Sequence, residues 1–249
     1  MAGAQAAIQA IPRLQAPGHA KVLGPTYNEH AAALRTAGWM VAEVPTLAAL
    51  AGADLAVVVN PNNPDGRSHS RTDLLHVAGK VGRLVVDESF ADSRPDLSLA
   101  PVAGHPGILV LRSFGKFYGL AGVRLGFVIG ADADIAALAA MAGPWNVSGM
   151  AIALGQAALA DTVWADATTL RLKSETMRLD ALAQSINWRL VGGTELFRLY
   201  WTADAVQAQQ RLALHQIWSR TFPYSAHWLR LGMPGNANEW ERLATAMRT

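Results

Sequence analysis

The stretch DLAVVVNPNNPDG, residues 54–66, decides the fold. An unbroken apolar run ends abruptly on asparagines, prolines and a glycine. A strand with one wet face alternates apolar with polar residues, and this run does not alternate, so it reads as a strand covered on both faces. The residues after it read as a turn whose backbone proline and glycine fix. The same form recurs in RLVVDES and GILVLRS, and KVLGP, WMVAEV and GVRLGFVIG add further strands around a helix over 28–37. That order predicts an α/β fold with a largely parallel sheet. Ligands of such sheets lie outside the carboxyl ends of the strands. There the sequence places NPNNPDG, then Asp87, then RSFGK.

The pattern changes after Pro144. Residues 151–186 read as helices, GGTELFRLYW as a strand after a glycine turn, and ADAVQAQQRLALHQ as a helix. IWSRTF and HWLRLGMP read as strands, and a last helix starts at Asn238. Mixed short elements of this kind predict a smaller α+β domain. The division expected is residues 1–160 for the large domain and 161–249 for the small one.

Composition narrows the function. Charged residues make up 16% of the chain against 51% hydrophobic, a balance that excludes disorder and favours a packed core. The net charge of +2 comes from scattered basic residues, with no basic stripe for nucleic acid. The absence of cysteine excludes disulfides and thiolate metal sites, and it suits a reducing, cytoplasmic location. His69 and His76 have no ligand spacing and no completing carboxylate, so no metal is expected. No apolar run reaches the roughly 18 residues that a membrane span needs. The start lacks a charged region ahead of its apolar part and does not read as a signal peptide.

Lys116 stands out within RSFGKFYGLAGVRLGF, residues 112–127, a segment that otherwise reads as buried. Held among apolar neighbours, a lysine loses hydration of its ammonium form and becomes a usable nucleophile; the plain alternative is a lysine that snorkels to solvent. Asp87 at a strand end suits a metal ligand, a helix cap or a partner for a cofactor cation. Ser113 and Arg124 bracket the lysine with a short donor and a planar fork, a pair that suits a phosphate monoester. The amides after Gly3, where GAQ opens a helix-like segment, could cradle the same anion. Neither a Walker A pattern nor the dinucleotide glycine spacing is present. A nucleophilic lysine, a strand-end aspartate and a phosphate cradle together suggest pyridoxal 5′-phosphate, PLP.

NPNNPDG, VVDESF, RSFGKFYGLAGVRLGF and WLRLGMPG, in that order, resemble the fold-type-I PLP-dependent aminotransferase family, class I/II. Within it the chain is most similar to the threonine-phosphate decarboxylases of cobalamin biosynthesis, relatives of the histidinol-phosphate aminotransferases. The resemblance implies a PLP-dependent transferase-like large domain and a small C-terminal domain. Lys116 matches the lysine that binds the cofactor covalently, and Asp87 the partner of its pyridine nitrogen. Asn63 matches the donor to the ring oxygen and a substrate contact, and Tyr27 the aromatic stacked on the ring. Ser113, Arg124 and the amides of Gly3 and Ala4 match the phosphate cup. Arg230 matches the arginine that holds the substrate's carboxylate or another anionic group. Phe90 departs from the tyrosine of many aminotransferases and favours the decarboxylase branch. The chain also starts almost at the cup, where the family carries a substantial N-terminal portion.

The implied activity is decarboxylation of L-threonine O-3-phosphate to (R)-1-amino-2-propanol O-2-phosphate. A histidinol-phosphate-type aminotransferase and a shortened, non-catalytic remnant are the alternatives. The expected partners are a phosphorylated amino acid and, with the N-terminal portion present, a second copy in a homodimer. Nucleic acid and membrane are not expected.

Overall fold

The computed structural model describes residues 1–248. The chain divides into two compact units, Met1–Asn63 with Ser68–Asp161, and Pro64–Arg67 with the residues from Thr162 onward.

The first unit is built on six strands: β1 (His19–Leu23), β2 (Met40–Val44), β3 (Leu55–Val59), β4 (Leu84–Asp87), β5 (Ile108–Ser113) and β6 (Gly126–Ile129). They lie in the order β2-β1-β3-β4-β5-β6. All neighbours run parallel except β6, which is antiparallel to β5. β3 and β4 are buried at every position, as their lack of alternation predicts. Successive residues point to opposite layers. Val57, Val85 and Leu109 pack with Ile8 of α1 (Ala4–Ala10) and Leu34 of α2 (Glu29–Thr36). Their neighbours Val58, Val86 and Val110 pack on the other face with Leu50 and with Leu74 of α3 (Arg71–Ala78). A reciprocal Ser70–Asp73 capping box starts α3. The unit continues through α4 (Asp132–Ala142) and α5 (Gly149–Ala160).

The second unit holds α6 (Thr162–Ser185), β7 (Arg189–Thr194), β8 (Phe197–Trp201), α7 (Ala205–Leu214), β9 (Arg220–Phe222), β10 (Ser225–Gly232) and α8 (Ala237–Arg248). Its antiparallel sheet has the order β7-β8-β10-β9. Leu179, Trp188, Tyr200, Leu229 and Trp240 form its core.

Two expectations need correction here. GGTELFRLYW is a hairpin of two strands, with its turn at Glu195 and Leu196, and the glycines lie inside β7. They serve a close approach rather than a turn. A Cβ on Gly192 would stand 2.1 Å from the carbonyl oxygen of Asp65, and one on Gly66 would stand 1.9 Å from that of Gly193. IWSRTF is strand only over its last three residues, and Trp218 is 86% exposed. Among the described residues, no helix is long and apolar enough to cross a membrane.

Candidate active site

The register of the parallel strands assembles the site. Val59 lies beside Asp87, and Asp87 beside Leu111, so the ends of β3, β4 and β5 open at one level. A single cleft there is lined by Asn63 after β3, Asp87 at the end of β4, and Ser113 and Lys116 at and after β5. Gly3, Ala4, Tyr27 and Arg124 line the same cleft. Every cofactor-contact residue expected from the sequence is therefore at one place in the first unit.

Asp87 is the most constrained of them. Its side chain and that of His30 are each 4% exposed, and His30 Nε2 stands 2.8 Å from Asp87 Oδ2. A carboxylate only accepts hydrogen bonds, so Nε2 carries the proton and donates. The amide of Ser89 donates to Asp87 Oδ1 at 2.9 Å and its hydroxyl at 2.5 Å. Burial pushes the Asp87 carboxyl up, but His30 and Ser89 together outweigh it and hold the group below the ordinary aspartate value. Asp87 is thus kept as an anion inside an apolar sheet.

Lys116 corrects the sequence expectation. It is exposed rather than buried. Phe114 and Phe117 take the buried positions of the turn, at 2% and 5% exposure, which leaves Lys116 on its open side. Its Nζ stands 5.6 Å from the centre of the Phe90 ring, a cation–π contact at the cleft wall. The lysine is at the site because the turn projects it there, and burial plays no part.

The remaining wall suits an anion. Arg124 has left-handed backbone, φ 55 and ψ 49, unusual for a residue with a side chain. Gly3, at φ 82, lies so near it that a Cβ would stand 2.6 Å from Arg124 Nη2. A Cβ on Gly126 would stand 2.4 Å from the amide nitrogen of Ala4. Two glycines therefore let the start of α1, β6 and the guanidinium close on one another. Tyr27 Oη donates to Gln5 Oε1 at 3.4 Å.

Arg230 belongs to the second unit, on β10, paired in register with Arg220 of β9. Its guanidinium lies 5.0 Å from the centre of the Phe197 ring. Burial first, then the charge of Arg220, lower its pKa from the usual value. Two cations directly opposite on adjacent strands repel, and an anion between them relieves the repulsion. Sequence reasoning missed Arg220, His30 and Ser89. His30 stands three residues after Tyr27, at the start of α2, but only the folded structure shows that it reaches Asp87.

Sheet order and cleft define an α/β protein with a ligand site at its strand ends. The chain belongs to the aminotransferase class I and II family, whose model matches residues 1–247. It is 41% identical to the threonine-phosphate decarboxylase of Pseudomonas aeruginosa, covering 99% of this chain and 76% of that protein. It is 32% identical to the histidinol-phosphate aminotransferase of Citrifermentans bemidjiense, covering 78% of this chain and 57% of that protein. The structure of L-threonine-O-3-phosphate decarboxylase from Porphyromonas gingivalis matches with a TM-score of 0.83 at 19% identity, covering 99% of this chain and 81% of that one. The cofactor that goes with this membership is pyridoxal 5′-phosphate. The donor set fits it: an amine for its aldehyde, an anion for its pyridinium, and a glycine-lined cationic wall for its phosphate.

Proposed function

We propose that the chain is a PLP-dependent threonine-phosphate decarboxylase. The observation that carries the reading is the meeting of Lys116, an ionised Asp87 and the Gly3–Arg124 wall in one cleft. Its sequence similarity to a decarboxylase over nearly its whole length favours that reaction, because the sequence similarity to a histidinol-phosphate aminotransferase covers less of both chains.

When bound, the cofactor supplies an electron sink for the pair left on the substrate's Cα. The chain's own residues do the rest. Asp87, held by His30 and Ser89, pairs with the protonated ring nitrogen and keeps it cationic. Ser113, Arg124 and the amides of Gly3 and Ala4 take the phosphate, and Asn63 and Tyr27 fix the ring. Lys116 would hold the cofactor through its amine, and that amine, once displaced by the substrate's own, would be placed in the cleft to deliver a proton to Cα. The balance is simple: carbon dioxide leaves Cα and one proton replaces it. We assign Arg230 to an anionic group of the substrate, with the first unit as the cofactor domain and the second as the smaller one. With the N-terminal portion present, a homodimer is the proposed assembly, tested by light scattering.

Purified protein loaded with PLP should release carbon dioxide from threonine phosphate without consuming a keto acid. Amino transfer to 2-oxoglutarate would overturn the assignment in favour of an aminotransferase. Lys116→Ala should abolish the visible absorbance that PLP acquires on the native chain. A native chain that binds no PLP would point to the remnant instead.

A further inference from the structure

Behind the cleft lies a charged cluster that the chemistry above does not use. Asp87 and Leu111 are register partners, so the next residues, Glu88 and Arg112, are neighbours on the two strand ends. Side chains alternate along a strand. Asp87 and Ser113 line the cleft, while Glu88 and Arg112 meet each other on the opposite side.

Glu88 is fully buried. Its Oε1 accepts from the amide of Leu99 at 2.6 Å, and its Oε2 from the Ser98 hydroxyl at 2.5 Å and Arg112 Nη1 at 3.1 Å. The other terminal nitrogen, Arg112 Nη2, donates to Asp92 Oδ1 at 2.6 Å. One guanidinium thus holds both ends of the turn over residues 88–92, itself closed by the amide of Ala91 donating to the carbonyl of Glu88 at 3.0 Å. Between those ends sit the two residues that face the cleft: Ser89, whose amide and hydroxyl bond Asp87, and Phe90, whose ring lies under the Lys116 ammonium. A planar fork spans two carboxylates at fixed angles, which an ammonium does not do.

We propose that Arg112 is a positioning residue: by holding Glu88 and Asp92 from behind, its guanidinium fixes the turn that presents Ser89 to Asp87 and Phe90 to Lys116. The inference rests on the reading of the cleft as a PLP site. It assigns to this arginine no contact with cofactor or substrate. Its influence on the site passes through the turn alone.

The test is a double-mutant cycle on the full chain, with Arg112→Lys, Phe90→Leu and both together. The readouts are the PLP dissociation constant from absorbance titration and the urea midpoint of the PLP-free protein. Arg112→Lys should weaken PLP about tenfold. Adding Phe90→Leu should weaken it by no more than roughly twofold further, because the ring is already displaced. In Arg112→Met/Asp92→Asn the cation leaves with one of its anions. This pair should recover urea midpoint relative to Arg112→Met while PLP affinity stays low, a split that a merely structural role would not produce; it also carries the test if Arg112→Lys fails to fold. Wild-type affinity in Arg112→Lys, full multiplication of the two losses, or affinity that recovers with the midpoint would each overturn the proposal. A wild-type chain that binds no PLP overturns the reading of the cleft and this inference with it. Normal wild-type binding with an unaffected Arg112→Lys overturns this inference alone.

Discussion

At the scale of single residues, the site turns on a buried anion whose partner is a histidine. Asp87 and His30 are both almost fully buried, so removing His30 takes the donor from Asp87 Oδ2 in an apolar layer. His30→Leu should therefore destabilise the protein by about 3 kcal/mol in urea unfolding. His30→Leu/Asp87→Leu should cost less than the single change, because no orphaned carboxylate is left in the interior. Equal losses in the two variants would mean that the histidine contributes packing alone. Asp87→Asn keeps the shape and removes the charge, and decarboxylation should fall about a hundredfold or more. The sequence pointed to Asp87 through its place after RLVV. It gave no sign of His30, because the contact joins positions 57 residues apart through tertiary packing. Lys116 shows the converse. Its position was legible, while its surroundings were not, since Phe114 and Phe117 claim the interior of the same turn.

Elements carry the next level of the design. β3 and β4 were legible because a strand covered on both faces must be apolar at every position. β7 and β8 merged into one expected strand because a glycine pair looks like a turn, and the approach of residues 64–67 that requires those glycines is invisible along the chain. Gly66 has φ 69, and a Cβ there would overlap the carbonyl oxygen of Gly193. Gly66→Ala should shift the backbone of this segment off β7, read as lost amide protection in residues 65–67 and in β7 by hydrogen exchange. Retained protection would show that the segment is free to move aside. The start of α7 offers a milder test. Asp204 accepts from the amides of Val206 and Gln207, both at 2.9 Å, and caps the helix. Asp204→Ala should cost about 1 kcal/mol in urea unfolding, with Asp204→Ser recovering most of it.

For the whole molecule, the two aspartates on either side of the β4 turn give stability opposite dependences on pH. Asp87 titrates below its ordinary value in the folded chain, so its contribution is complete above about pH 4 and is lost as pH falls through the folded value. Burial raises the Asp92 carboxyl against the pull of Arg112. Its contribution is complete below the ordinary value and is lost as pH rises through the folded one. Asp92→Asn removes that second loss, so urea midpoints measured from pH 3 to 7 should fall less on the rising side than in wild type. An unchanged profile would show that Asp92 is not the group responsible. By itself the sequence determined which runs must be interior strands and where the polar strand ends must lie, because burial pattern and turn chemistry are local. Only the tertiary structure decided that those ends share one level, that His30 reaches Asp87, that Arg112 binds both ends of one turn, and that Arg220 opposes Arg230. These depend on register and on contacts between distant positions, and no local pattern encodes them.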